Sequence, residues 1–296
     1  MKAYLRALAA RLTAYLLRKT YNADHFRYWE RQGYHVTPVH FYQPIPNTAE
    51  LAQRYPPKSD LIGVNWNADG QLALLEQLRA YAAETEHFPF HADPDEPDRF
   101  YLNNGLFMGI DPLLYHGLIR HFQPSHIIEI GAGFSTLLAA QATNGKITAV
   151  EPYPRPFIER GAYGIQHIAQ RVEDLPLTFF DQLGAGDVLF IDSSHVVRTG
   201  SDVNYLILNV LPRLKAGVLV HLHDIFLPYE YPPAWTLEKH WFWTEQYLLH
   251  AFLIHNPRVE IVLANHFLER DHADRLRSIF PKATAWTGGS FWLRIL

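Results

Sequence analysis

Three short segments of the 296-residue chain concentrate groups that can hold ligands or move protons. Asp192-Ser193-Ser194-His195 leaves the end of one apolar run, and His221-Leu222-His223-Asp224 closes another. In an extended chain, alternation sends His221 and His223 to one face and Leu222 to the other until the strand ends. If the two runs are neighbouring strands, Asp192, His223 and Asp224 converge, with His195 and Asp202 near by. Such a cluster has three chemical uses: it binds a divalent cation, activates a hydroxyl as a general base, or closes an internal polar network. The third segment is Glu129-Ile130-Gly131-Ala132-Gly133-Phe134-Ser135. Gly131 and Gly133 allow backbone to approach a ligand, while Ser135 and a helix N-terminus supply donors. A second apolar run ends at Glu151, where a carboxylate can accept from both hydroxyls of a ribose. A nucleotide-like cofactor follows.

The elements needed to bring these segments together are legible from about residue 105 onward. A helix near 111–121 leads into HIIEI, 126–130, whose unbroken apolar character suits a central parallel strand. GAGFSTLLAAQAT turns into a helix, and KITAVEP, 146–152, is the second strand. IQHIAQ, 165–170, is a weaker third and DVLFID, 187–192, a strong fourth. VNYLILNVLPRL, 203–214, reads as a crossover helix into GVLVHLHD, 217–224. Right-handed crossovers then place ligands at the strand C-terminal ends. A helix beginning near Trp241 should follow, and VEIVLANHFL and GGSFWLRIL read as two strands pairing as a hairpin across an intervening helix.

Upstream, residues 1–104 read as a cap or lid, and 105–296 as the main domain. Loops rich in Pro, Asn and aromatic residues surround one clear helix, 71–88, with Leu72, Leu75, Leu78, Ala82 and Thr85 as its stripe and Asp69 or Gly70 at its start. At the N-terminus Leu5, Leu8, Leu12, Tyr15 and Leu16 recur at helical spacing among Lys2, Arg6, Arg11 and Arg18. Packing on the protein itself or on a second subunit is the first reading of that helix, with membrane-surface attachment behind it.

Composition narrows the function classes. With 26 Lys plus Arg against 30 Asp plus Glu, the formal charge of −4 argues against a nucleic-acid surface. No Cys is present, which excludes disulfides, thiolate metal sites and a cysteine nucleophile, whereas 17 His keep nitrogen ligands open. No stretch has the length of a membrane span, and no signal-peptide pattern opens the chain, so a cytoplasmic enzyme without a membrane partner is the default.

A nicotinamide turn would carry a third Gly where Thr136 stands, and a diphosphate would be opposed by Glu129. S-adenosylmethionine lacks a diphosphate but bears an ammonium and a sulfonium, both of which an acid favours. On IIEIGAGFST, AVEP and DVLFID, residues 105–296 resemble the class I S-adenosylmethionine-dependent methyltransferases. The likeness implies a Rossmann-like α/β fold: a mostly parallel seven-stranded sheet with an antiparallel C-terminal strand, plus the helical and irregular cap. It also implies that Glu129, Gly131, Gly133 and Ser135 surround the methionine end, that Glu151 meets the ribose, and that Val172 or Glu173 lies beside the adenine. DSSH further resembles the DGSH-type motif of bacterial macrolide-sugar O-methyltransferases, with HD at 223–224 like their acidic pair. By that likeness Asp192 and Asp224 are ligands of a divalent cation, magnesium or manganese, and His195 is the base. His223 joins the candidate ligands, but it stands where a carboxylate is expected, and His suits manganese, iron or zinc better than magnesium.

The resulting expectation is a methyltransferase acting on oxygen of a small-molecule or sugar-bearing hydroxyl compound, with the N-terminal region available for homo-oligomer contacts. Its rivals are a metal-independent N- or carboxyl-methyltransferase, a nicotinamide oxidoreductase and an inactive cofactor-binding scaffold. Tyr229, Tyr231 and Trp235 are expected to line an acceptor pocket ahead of Trp241 and Trp243, and Tyr101, Asn103, Asn104 and Met108 to cover the cofactor mouth or cap local backbone.

Overall fold

The structure is a computed structural model describing residues 1–296. Two compact units divide between Tyr55 and Pro56. The first holds α1 (Lys2–Thr20), α2 (Phe26–Arg31) and α3 (Thr48–Gln53) and buries none of its side chains. Its short turns are capped locally: Asn22 accepts from the Asp24 amide, and Asn47 from those of Ala49 and Glu50. The expected stripe of α1 exists, with Leu5, Leu8, Leu12, Tyr15 and Leu16 all exposed. No helix of the chain is long and apolar enough to cross a membrane.

The second unit is built on one seven-stranded sheet: β1 (His126–Ile130), β2 (Lys146–Val150), β3 (Gln166–Ile168), β4 (Val188–Ile191), β5 (Leu219–Leu222), β6 (Val259–Ala264) and β7 (Phe291–Ile295). Their spatial order is β3-β2-β1-β4-β5-β7-β6. The first five strands run parallel, and β7 is antiparallel to both β5 and β6. The anticipated pairing of the last two strands is present, with α12 (Asn265–Asp271) and α13 (Ala273–Ile279) between them. Strands β1 and β4 are buried along their whole length, because helices cover both faces. Ile127, Ile128, Phe190, Leu222 and Trp292 are among the fully buried side chains, each contributing about 1.5–3 kcal/mol of burial.

The sheet unit starts well before 105. The helix expected over 71–88 is α4 (Ala68–Leu78), then a 3-10 turn and the short α5 (Ala82–Thr85). Leu75, Leu78, Ala82 and Thr85 are buried. Gln71 is buried as well, donating to the Trp66 carbonyl and accepting from the Ala264 amide of β6. Those contacts make residues 56–104 part of the same core, so the boundary drawn near 104 does not match the compact units. The helix opens after Asn67 rather than at Asp69 or Gly70.

Two helix readings shift for local reasons. The crossover after β4 begins as α9 (Asp202–Asn204), widens to a π-helix over Tyr205–Val210 and tightens before Pro212. The helix expected near Trp241 begins as α11 (Glu245–Leu253), because the Thr244 and Glu245 amides both donate to the His195 carbonyl and hold 241–244 out of a helix. Between β1 and β2 lies α7 (Phe134–Ala142), α6 (Asp111–Phe122) precedes β1, and the short α8 (Pro156–Glu159) and α10 (Pro233–Leu237) follow β2 and β5.

Candidate active site

Register carries the sequence segments to one edge. Ile130 is level with Val150 and Ile191, and Ile191 with Leu222. One residue further on, Glu151, Gly131, Asp192 and His223 therefore stand side by side. Ladder bonds reach that row: Gly131 donates to Val150, Asp192 to Ile130 and His223 to Ile191. The ends of parallel strands are where an open α/β sheet binds ligands.

The two glycines differ. Gly131 has φ 83°, and a Cβ there would sit 1.7 Å from the Asp192 carbonyl oxygen. Only glycine lets β1 turn so close to the end of β4. Gly133 has extended backbone, and a Cβ would meet nothing within 4 Å. What glycine keeps clear there is open space. Thr136, standing where a third glycine would serve a nicotinamide turn, instead accepts from the Gly133 amide at 2.9 Å.

Glu129 is fully buried and accepts a 2.5 Å bond from Ser135 Oγ, while Oε2 has no partner. Burial pushes this carboxyl up to about 8, against the pull of Ser135 and Thr136. An unpaired buried carboxylate oxygen beside a glycine turn suits an ammonium. At the strand ends opens a cleft of about 300 Å³ lined by Gly131, Glu151, Tyr153, Arg171, Val172, Glu173, Asp192 and Ser194, among others. Glu151 Oε1 accepts from the Tyr153 amide at 2.7 Å, which fixes its carboxylate at the rim. The groups expected to meet ribose and adenine thus share one cleft with Gly131, while Glu129, Gly133 and Ser135 stand outside its lining, and the acids present suit the charge of S-adenosylmethionine.

Asp192 lines that cleft and also belongs to a second cluster. Its Oδ1 is 3.2 Å from His195 Nε2 and 3.5 Å from His223 Nδ1. Asp224 Oδ2 is 3.7 Å from the same His195 atom and 3.6 Å from the same His223 atom. The ligand atoms of Asp192, His223 and Asp224 all lie within 4.8 Å of one another, as a common cation would need. His195 and Asp224 both hold left-handed backbone, with φ 59° and 58°. Non-glycine residues in that region cost about 1–3 kcal/mol each and persist where surroundings impose them.

The charges are unequal partners. Burial raises the Asp192 carboxyl, but His223 and His195 overcome it and hold the group well below the carboxylate range. Burial lowers His195, while Asp192 and Glu245 lift it to about 10. His223 is likewise lifted over its burial by Asp224 and Asp192. His221, on the same face, stays out of the cluster. It is fully buried, stacked on Trp292 at 4.4 Å, and pushed well below the ordinary imidazole value by burial.

Two carboxylates that face the cluster are absent from the sequence reading. Glu245, first residue of α11, places Oε2 at 2.9 Å from His195 Nδ1 while nearly fully buried. Asp111, first residue of α6, places Oδ2 at 3.3 Å from His223 Nε2. The only available signal was an acid at the start of an apolar helix, which macrodipole stabilisation explains equally well. Asp202 turns out to be occupied with its own loop, accepting from the Ser194 amide and hydroxyl.

Trp243, ranked behind Tyr229, Tyr231 and Trp235 on sequence order, is the aromatic residue against His195, with ring centres 4.3 Å apart. Trp241 stacks on it at 5.0 Å and Trp235 meets it edge-on. Tyr229 is engaged by Asp271 and Lys58, and the Tyr231 hydroxyl accepts from the Gln246 amide. Asn104 caps its own loop through the Leu106 and Phe107 amides, whereas Asn103 and Met108 line a separate cavity of about 420 Å³.

Residues 128–225, which span the glycine turn and both strand-end clusters, match the family described as Methyltransferase domain. An uncharacterized protein of Archaeoglobus fulgidus is 34% identical over 163 residues, 49% of this chain and 72% of that protein. Among solved structures, the chain is similar to an O-methyltransferase from Bacillus cereus in complex with SAH, at 14% identity and TM-score 0.35, covering 84% of this chain and 96% of that one. It is also similar to the O-methyltransferase TomG from Streptomyces achromogenes, involved in tomaymycin synthesis, at 16% identity and TM-score 0.36 with the same coverage. With its seven-stranded sheet, its strand-end cleft and the domain matched over residues 128–225, the chain carries the domain of the class I S-adenosylmethionine-dependent methyltransferases.

Proposed function

We propose that this methyltransferase acts on the hydroxyl oxygen of a small-molecule or sugar-bearing acceptor, with a divalent cation held by Asp192, His223 and Asp224. The observation that carries this reading is the double position of Asp192, at once a wall of the cofactor cleft and a member of the acid–imidazole cluster. An acceptor at that cluster lies beside the cofactor, as an in-line displacement requires.

S-adenosylmethionine supplies a methyl group already activated as a sulfonium. A cation at the cluster would supply the charge that makes a bound hydroxyl more acidic. The chain's own residues do the rest. Glu129, held by Ser135, meets the ammonium, and Glu151 orients the ribose. With Asp192 drawn to a cation, the lift on His195 would weaken and Nε2 would be free to take the hydroxyl proton, while Glu245 accepts from Nδ1–H and keeps the ring in that tautomer. Trp243, with Trp241 stacked behind it, covers the imidazole and helps keep water away. As the acceptor oxygen bonds to the methyl carbon, the carbon–sulfur bond breaks, its pair goes to sulfur, and the proton resides on His195.

One observation favours a second reading. Both histidines already face carboxylates on two sides, so the acids of the cluster have imidazole partners even without a cation. His195 would then act without a cation, on nitrogen or a carboxylate. Calorimetric titration of metal-stripped protein with S-adenosylmethionine, against NAD and with and without magnesium or manganese, separates these. Saturable binding, silent NAD and a metal-dependent heat support the first reading. Binding indifferent to either metal leaves the second. Loss of S-adenosylmethionine binding in folded protein overturns both.

A further inference from the structure

We propose that Asp111 is a positioning residue for the cation site, fixing His223 so that Nδ1 is the atom offered beside Asp192 and Asp224. The inference rests on the cation reading above and names the residue that makes the site selective.

Asp111 lies far from the cluster in sequence, at the first turn of α6, and is buried there with 3% exposure. Its carboxylate cannot drift. Oδ1 accepts from Asn265 Nδ2 at 2.7 Å and from the Ser290 amide at 3.2 Å, and Oδ2 accepts from the Gly289 amide at 2.8 Å. The same Oδ2 is 3.3 Å from His223 Nε2. In the neutral ring that a bound cation would require, a carboxylate placed there selects the Nε2–H tautomer, which leaves the lone pair on Nδ1.

That second nitrogen is the informative atom. It is buried and makes no hydrogen bond, although two carboxylate oxygens lie at 3.5 and 3.6 Å. Those separations are long for hydrogen bonds but near the spacing of donors about 2.1 Å from one ion. Phe107, with its ring centre 5.3 Å from that of His223, closes the apolar side and leaves the ring little room to turn. A donor set of one imidazole and two carboxylates, oriented from behind by a third, suits manganese or zinc more than magnesium.

The test uses metal-stripped full-length protein titrated with Mn²⁺, as wild type and Asp111→Asn, together with the histidine side-chain 1H–15N spectrum of the zinc-loaded wild type. The expected result is a 10–100-fold weaker Mn²⁺ affinity in D111N with S-adenosylmethionine affinity retained, and a His223 proton on Nε2 in the zinc form. Equal Mn²⁺ affinity in the two proteins, or a His223 proton on Nδ1, overturns the role of Asp111 while leaving the cation reading standing. A folded wild type that takes up neither Mn²⁺ nor Zn²⁺ overturns the cation reading and this inference with it. The wild-type spectrum needs no variant, so a D111N protein that does not fold still leaves the proposal open to refutation.

Discussion

The two halves of the strand-end row are built by different means. On the β1–β2 side, backbone geometry does the positioning: Gly131 passes against the Asp192 carbonyl, and the Gly133 amide is tied to Thr136. On the β4–β5 side, buried charge does it. His195 is gripped by Glu245, 50 residues later, and His223 by Asp111, on a helix ahead of the first strand. The first half tolerates no added atom at one position. The second tolerates no lost charge, since removing one partner strands another charge in a dry place. A cleft that must hold a standard cofactor and a cluster that must tune particular chemistry thus rest on separate supports.

The sharpest way to break this contrast is Gly131→Ala. Left-handed backbone and a Cβ at 1.7 Å from a carbonyl oxygen must force β1 and β4 apart. Denaturant unfolding should show a loss of about 4 kcal/mol, or no folded protein at all. A loss under about 1 kcal/mol would mean that the close approach is not needed. His195→Asn comes next and should act on turnover instead. Methyl transfer to an acceptor found by screening should fall about 10²–10⁴-fold with S-adenosylmethionine affinity little changed. Equal loss of cofactor binding would show that the two halves are not separable.

Glu129 gives a smaller, pH-dependent effect. Its carboxyl sits near 8 in the folded chain, because of burial, and near 4.5 when unfolded. Between those values the native state holds a proton that the unfolded state has released, so stability falls as pH rises. Going from pH 5.5 to 8, the wild type should lose on the order of 3 kcal/mol relative to Glu129→Gln. Urea midpoints of both proteins at each pH measure this. A wild type that gains on the variant at high pH would refute an unpaired buried acid there.

The same contrast explains what the sequence allowed to be read. The glycine turn, Glu129 and Glu151 lie within one strand–turn–helix–strand unit, where spacing and alternation determine position. Asp192, His223 and Asp224 required one further step, the adjacency of β4 and β5, which the apolar runs make plain. Asp111 and Glu245 required knowledge of how α6 and α11 pack, and a single acid at a helix start carries no such signal. Trp243 was ranked too low for the same reason: two amides bound to the His195 carbonyl hold 241–244 out of a helix and bring the indole onto the imidazole. The boundary near 104 missed because composition changes there while packing does not. Leu75 and Leu78 of α4 are fully buried in the shared core.

Gly133→Ala is the mildest substitution and the most discriminating. Its backbone is extended, so alanine brings no strain of the kind met at Gly131, and its Cβ would touch nothing in the protein. The residue caps α7, where alanine is a poorer choice than glycine, so unfolding should register a loss below about 1 kcal/mol. If the empty space beside it is where the cofactor lies, the methyl should cost far more in binding than in folding, with S-adenosylmethionine affinity about 10-fold weaker in calorimetry. Unchanged affinity would put the cofactor elsewhere along the cleft, nearer Glu151 and Val172, and would leave Gly131 as the one glycine of the turn with a defined task.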